Sequence, residues 1–441
     1  MVYSENGYEA LIRDLFERHP SVQGTGFTPG AYKPGLQGMQ AFDSSLGHPW
    51  KRYPCIHVAG TNGKGSVCSM LAAALAAGGL RVGLYTSPHL VDFRERMKIV
   101  SEDDDGGRFE MISREEVYAF LTGRRLDGLS FFEITTGMAF SWFADRGVDI
   151  AVIETGLGGR LDSTNIITPV LSVITSIGLD HCALLGDSVE KIAAEKAGIF
   201  KPGVSAVVWG RDSRTGPVFE AAAEAVGARL VFAGEGTSAA ADSLKDDLLR
   251  RLDITGPCRE ANLRTVLTAL EVLRGPGAAT PAVRDAIASA ASITGLRGRW
   301  ERISKKPEVI CDIGHNPQAL SAGFAALESS GRPLHVVYGI MADKDLEGIA
   351  PSMPASAKWY LCSPATSRAL PVADLADRLS RLRPGLDARA FPSVASAVKA
   401  AVSAAASRSS ADEGEPLVYI GGSTFVVAEA METLEGDPFA R

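Results

Sequence analysis

The chain has 441 residues, of which 46% are hydrophobic and 22% charged, with a formal net charge of −7. That length is too great for one core and calls for at least two domains, and the acidic balance without a basic run argues against a nucleic-acid partner. Six cysteines, Cys55, Cys68, Cys182, Cys258, Cys311 and Cys362, form no C-x-x-C pair and read as small buried residues of a reducing compartment, not a disulfide framework or zinc site. Met1 to Arg13 carries acids and lacks the apolar core of a signal peptide, and no apolar stretch reaches the length of a membrane span, so the cytoplasm is expected.

In chain order, Leu11, Ile12, Leu15 and Phe16 mark one helical face over Tyr8 to Phe16. Gly24 to Gly38, rich in Gly, Pro and aromatics, predicts a long loop or lid, and Leu36, Met39, Phe42 and Leu46 a second helix. Cys55 to Ala59 is a β-prone run that enters a glycine-rich turn, and Val67 to Ala77 follows as an apolar helix. Arg81 to Tyr85 predicts a strand, Glu115 to Leu121 and Phe131 to Phe143 helices. Val148 to Ile153, Val170 to Thr175 and Ser205 to Trp209 are strands of the kind buried on both faces of a parallel sheet. Ser238 to Glu260 shows no core pattern and reads as surface structure, and Ala261 to Leu273 closes the domain with a helix. The glycines of Ile293 to Arg299 suggest a linker. Beyond it, strands at Val309 to Ile313, His335 to Gly339, Trp359 to Cys362 and Leu417 to Ile420 alternate with helices at Ala319 to Leu327, Val372 to Leu382 and Ala395 to Ser407. The prediction is α/β throughout: a P-loop ATPase-type doubly wound sheet over 1–293, then a smaller Rossmann-like α/β domain over 294–441.

The turn after the first strand reads His57-Val-Ala-Gly-Thr-Asn-Gly-Lys-Gly-Ser66. Gly60, Gly63 and Gly65 let the backbone aim its N–H groups into a tight concavity, as polyphosphate requires, and Lys64 would bridge the terminal phosphates. The loop departs from G-x-x-x-x-G-K-[ST], because Val58 replaces the first glycine and Gly65 separates Lys64 from Ser66. Open parallel sheets bind ligands at the carboxyl ends of their strands, and polar residues recur there. Ser87 and His89 follow one strand and Glu154 the next. Asp180 and His181 come soon after another. Glu154 beside Gly156, Gly158 and Gly159 suits a Mg²⁺ that bridges phosphate oxygens. His181 reads either as a structural residue or as a second metal ligand, and on periodicity Lys196 is a helix-surface lysine.

Taken together, these motifs resemble the folylpolyglutamate synthase and dihydrofolate synthase family, a branch of the Mur ligases. The resemblance rests on His57 to Ser66, Thr86-Ser-Pro-His-Leu90, Phe132-Glu-Ile-Thr-Thr136 and Glu154-Thr-Gly-Leu-Gly-Gly-Arg-Leu-Asp162. It continues through Leu179-Asp-His181, Glu195-Lys-Ala-Gly-Ile199, Gly298-Arg-Trp-Glu301, Asp312-Ile-Gly-His-Asn-Pro317 and Gly421-Gly-Ser-Thr-Phe425. It implies an ATP-dependent ligase working between two domains with two Mg²⁺ ions. By position, Asn62, Gly63, Lys64, Gly65, Ser66, Asn262, Arg299, Asp312 and His315 correspond to ATP contacts. Ser87, Glu154, His181 and Lys196 correspond to metal ligands, with Lys196 matching the family's carbamylated lysine. Lys64, Lys196 and His181 are the implied catalytic group. Ser130, Phe131, Phe132, Glu133, Leu161, Asp162 and Ser163 correspond to the pterin side. Cys258 and Arg259 stand where the family often has His-Gln, and Ile313-Gly314 where Gly-Ala is commoner.

The implied reaction joins L-glutamate to dihydropteroate, to tetrahydrofolate, or to both, through an acyl phosphate. Small-molecule partners and a monomer are expected, with no membrane contact. A cell-wall Mur ligase and a P-loop ATPase without ligase activity are the competing readings. Gly65 and the Phe132-Glu133 stretch favour folate.

Overall fold

The structure is a computed structural model that describes residues 3–19, 35–102, 109–235, 239–407 and 414–435. Most of the lid expected over Gly24 to Gly38 lies outside them. Two compact units result: Met1–His89, Phe93–Ile254 and Cys258–Leu296 form the first, and Leu90–Asp92, Thr255–Pro257 and Arg297–Arg441 the second. Among the described residues, no helix is long and apolar enough to cross a membrane.

The first unit is built on eight strands: β1 (Cys55–Ala59), β2 (Val82–Tyr85), β3 (Met97–Val100), β4 (Phe109–Met111), β5 (Ile150–Glu154), β6 (Leu171–Ile174), β7 (Ala206–Val208) and β8 (Leu230–Phe232). Their order is β4-β3-β2-β5-β1-β6-β7-β8, parallel except where β3 meets β2 and β4. β1 therefore lies centrally, between β5 and β6, with His57 opposite Ile153 on one side and Ser172 on the other. Successive side chains alternate between faces. Ile56 and Val58 enter one core with the helix Lys64–Ala76, and Cys55 enters the other with the helix Phe131–Asp145. The helix Lys64–Ala76 is apolar all round and buried from Gly65 to Ala76, which suits it to a position enclosed by neighbouring helices rather than a surface one.

The second unit carries β9 (Glu301–Lys305), β10 (Glu308–Asp312), β11 (Leu334–Tyr338), β12 (Lys358–Leu361), β13 (Asp387–Ala390) and β14 (Leu417–Gly421). The order is β13-β12-β11-β14-β10-β9, parallel except for the antiparallel edge β9. Helices Pro317–Ser329 and Val372–Leu382 contribute to one core, and Val394–Ala406 and Thr424–Glu435 to the other. The α/β class is as the sequence predicts.

Three expectations need correction: Cys55, Cys68, Cys311 and Cys362 are buried as expected, but Cys182 is exposed and Cys258 half-buried. Ser238 to Glu260 contains the helix Ala239–Arg251, and Leu248, Leu252 and Ile254 are buried in the core beneath the phosphate-loop helix. Its charges, including Lys245, Asp246, Asp247, Arg250 and Arg251, conceal a narrow apolar stripe. Lys196 is 4% exposed, not a surface lysine, although it belongs to the helix Val189–Ala197 as its neighbours suggest.

Candidate active site

The glycine-rich turn forms at the carboxyl end of β1. Gly63, at φ 90°, precedes the helix Lys64–Ala76, and a Cβ there would run into the side chain of Asn262. Gly60, at φ 152°, lies so near Thr175 that a Cβ would meet its Oγ1. Both positions need glycine because backbone and neighbouring side chains come together. The turn is tied to the end of β6: Thr175 Oγ1 and Ser176 Oγ donate to Asn62 O at 2.8 and 3.1 Å, and Thr61 Oγ1 donates to Gly178 O at 3.1 Å. The turn leads into the N-terminus of the helix Lys64–Ala76, an end where unpaired N–H groups and the helix dipole favour an anion.

Lys64 Nζ donates to Gly60 O at 3.2 Å and Thr61 O at 3.3 Å, and lies 4.0 Å from Glu154 Oε1. Glu154, at the carboxyl end of β5, is buried, and its Oε2 accepts from the N–H of Ser87 at 3.2 Å. The ends of β1, β2 and β5 thus bring Lys64, Ser87 and Glu154 together. A buried carboxylate beside a hydroxyl residue offers the oxygen donors that a hard divalent cation takes, so the residues fit such an ion.

Lys196 Nζ donates to Gly60 O at 2.8 Å, so the same carbonyl receives both lysines. Burial and the neighbouring Lys64 pull the Lys196 amine down to about 7, against the partial pull of Asp180 and Asp162. A lysine that is about half neutral near pH 7 can react as an amine. His181, adopting φ 54°, starts the short helix Cys182–Leu185 and lies half-buried, its Nε2 3.8 Å from Asp180 Oδ2.

The turn after Glu154 has its own internal support. Asp162 is buried, Oδ2 accepting from Leu157 N at 2.8 Å and Oδ1 from Thr164 N and Oγ1 at 3.0 and 2.5 Å. Burial raises its carboxyl above the usual range despite these bonds. Since Thr164 Oγ1 gives its proton to Asp162, it accepts from His57 Nε2 at 2.8 Å. Burial lowers His57 to about 3, and the imidazole is neutral. Leu161 and Ser163 are half-buried beside Asp162.

Ser130 and Glu133 form a capping box on Phe131–Asp145: Ser130 N donates to Glu133 Oε2 at 2.7 Å and Glu133 N to Ser130 Oγ at 3.2 Å. Phe131 stacks on Phe16 at 4.9 Å, and Phe132 lies 6.0 Å from Tyr85 and against Gly156. Sequence reasoning overlooked the cap although S-x-x-E before an apolar run is its signature. It also overlooked His57 and Thr164, because a histidine inside a strand carries no local signal of its distant partner.

In the second unit, Asp312 ends β10, with Oδ2 accepting from Trp300 N at 3.0 Å and Oδ1 from Gly314 N at 2.9 Å. His315 Nδ1 lies 3.0 Å from Ile313 O, and Asn316 caps the helix Pro317–Ser329. Arg299 is half-buried and acts electrostatically on Asp312.

Residues 298–412 match the Mur ligase, glutamate ligase domain. The chain is 35% identical over 390 residues to the dihydrofolate synthase/folylpolyglutamate synthase of Escherichia coli, covering 86% of each. The chain belongs to the folylpolyglutamate synthase/dihydrofolate synthase family. Among solved members, E. coli FolC in complex with DHPP and ADP superposes with a TM-score of 0.78 at 28% identity, covering 97% of each chain. A bifunctional folylpolyglutamate synthase/dihydrofolate synthase with Mn, AMPPNP and L-glutamate bound gives 0.76 at 29% identity, covering 97% of this chain and 98% of that one. The chain spans about half the length, 48% and 49%, of the relatives in Haloferax volcanii and Halobacterium salinarum, each a probable bifunctional folylpolyglutamate synthase/dihydropteroate synthase.

Proposed function

We infer that this family member is an ATP-dependent ligase adding L-glutamate to dihydropteroate, to the γ-carboxylate of tetrahydrofolate, or to both. The observation carrying this reading is the meeting of Lys64, Glu154 and Ser87 at adjacent strand ends, beside a glycine turn closed by Thr175 and Asn262. Nucleotide, metal and glutamate bound to a relative of the same fold support it.

The substrate carboxylate oxygen attacks the γ-phosphorus of ATP, and the bond to the bridging oxygen breaks to release ADP. Glutamate nitrogen then attacks the acyl carbon; phosphate leaves with its electron pair, and the nitrogen loses a proton as the amide forms. In the first step two anions meet. Asn62 to Ser66 orient the phosphates, and Lys64 exchanges its bonds to Gly60 O and Thr61 O for γ-phosphate oxygens, offsetting the charge that develops. A divalent cation held by Ser87 and Glu154, with a second held by His181 and carbamylated Lys196, would withdraw charge from the phosphate oxygens. The neutral amine favoured at Lys196 is the form that combines with CO₂. Asn262, Arg299, Asp312 and His315 are the proposed nucleotide residues, Asp312 acting through the backbone it holds. Phe131 and Phe132, with Leu161 and Ser163, are proposed for the pterin. Ser130, Glu133 and Asp162 support them through the cap and the turn.

A coupled ADP assay, offering dihydropteroate and tetrahydrofolate separately with and without glutamate, tests the reading. Glutamate-dependent ADP release is expected with at least one of them, and Lys64→Ala and Glu154→Ala should each lower it by about a thousandfold in folded protein. ADP release indifferent to both co-substrates would instead identify an ATPase.

A further inference from the structure

Trp300 has φ 52°, a backbone region that a bulky L-residue rarely adopts. The second unit supplies the contacts that hold it there. Its N–H donates to Asp312 Oδ2 at 3.0 Å, and its carbonyl accepts from Thr255 Oγ1 at 3.3 Å. Its ring centroid is 5.7 Å from that of Tyr419. The ring also lies over Gly323, where a Cβ would stand 3.3 Å from Trp300 Cζ3. Two residues earlier, Gly298 adopts φ 66° and accepts from Ile313 N at 3.0 Å. Arg299 therefore sits at the tip of a reversed segment whose two sides are clasped to consecutive residues at the end of β10, Asp312 and Ile313.

Glycine would take φ 52° freely, so tryptophan at that position opposes the local backbone preference. Such a residue persists where its surroundings over-determine it, and here the ring packing adds to the two backbone hydrogen bonds. We propose that Trp300 is a positioning residue whose seated ring fixes the direction in which Arg299 is presented to the nucleotide. Its effect runs through Arg299.

This rests on the proposed role of Arg299 in ATP use, and a double-mutant cycle separates the two ideas. Arg299→Ala should lower kcat/KM for ATP by about a hundredfold and Trp300→Ala by about tenfold. The double variant should match Arg299→Ala alone, because a residue acting only through Arg299 has nothing left to position. Trp300→Phe, which keeps a ring on Tyr419 and Gly323, should recover to within about threefold of the parent. Gly323→Val, which displaces the ring without altering the clasped segment, should reproduce the roughly tenfold loss, and that loss should vanish on the Arg299→Ala background. The last comparison decides the matter even if Trp300→Ala does not fold. Multiplicative losses in the double variants, with Arg299→Ala impaired, overturn the positioning role. An Arg299→Ala enzyme equal to the parent overturns the nucleotide role itself and the inference with it.

Discussion

Replacing Lys196 with methionine should stabilise the protein while destroying its activity. The amine falls from the ordinary 10.5 to about 7, a drop of about 3.5 pH units. At about 1.36 kcal/mol per unit, keeping the protonated lysine in its buried place costs as much as about 5 kcal/mol. Relaxation and water entry reduce that ceiling, and a gain of about 2 kcal/mol for Lys196→Met at pH 6.5 is the working expectation. Gly60 O, which accepts from Lys196, also accepts from Lys64 and keeps a partner in the variant. Between about pH 7 and 10.5 the native lysine is neutral while the unfolded chain holds the proton. Unfolding there takes up a proton, so parent stability rises with pH and the advantage of methionine shrinks, falling below about 1 kcal/mol by pH 9. Urea titrations of both proteins at pH 6.5 and 9, in metal-free buffer purged of CO₂, measure this difference. Bicarbonate should narrow it by converting the parent amine to a carbamate. A variant less stable than the parent at pH 6.5, or an advantage that ignores pH, would refute the burial argument. Ligation should drop by at least about a hundredfold in the same variant, a stability gain bought at the active site.

Gly63→Ala should weaken binding of a non-hydrolysable ATP analogue by about tenfold in calorimetry, because its Cβ meets Asn262 and φ 90° strains alanine; unchanged affinity would remove Asn262 from the loop's packing. Asp253→Ala should cost about 1 kcal/mol of stability in urea without changing KM for ATP, since its carboxylate accepts from Ala291 N at 3.0 Å and Ser292 N at 2.8 Å and caps the helix Ala290–Thr294. A loss below about 0.3 kcal/mol would mean water replaces that cap.

The parallel strands were legible because burial on both faces writes an uninterrupted apolar run, as in Val170 to Thr175 for β6. Edge strands were not: all four residues of β13 are exposed, and β4 is only three residues long. The placement of Ser87 and Glu154 at strand ends could be read because each follows a buried apolar strand, and the carboxyl ends of parallel strands are where ligands bind in such sheets. The burial of Lys196 could not, since helical periodicity says which residues share a face but not that the amine will reach the carbonyl of Gly60. Asp162 illustrates the opposite limit. Its motif was plain, yet its oxygens serve the turn itself through Leu157 and Thr164, a distribution fixed only once the backbone closes on the side chain.

The second unit is assembled from more than one length of chain: Leu90–Asp92 and Thr255–Pro257 belong to it, although each is flanked on both sides by the first. Leu90 packs with Ile313 and Val427, partners more than two hundred positions downstream. On the ribosome, where synthesis runs from the N-terminus, both stretches emerge long before the strands that receive them. Folding of the second unit therefore waits until β14 has been made, and its C-terminal portion cut out at Arg297 would lack two of its own pieces.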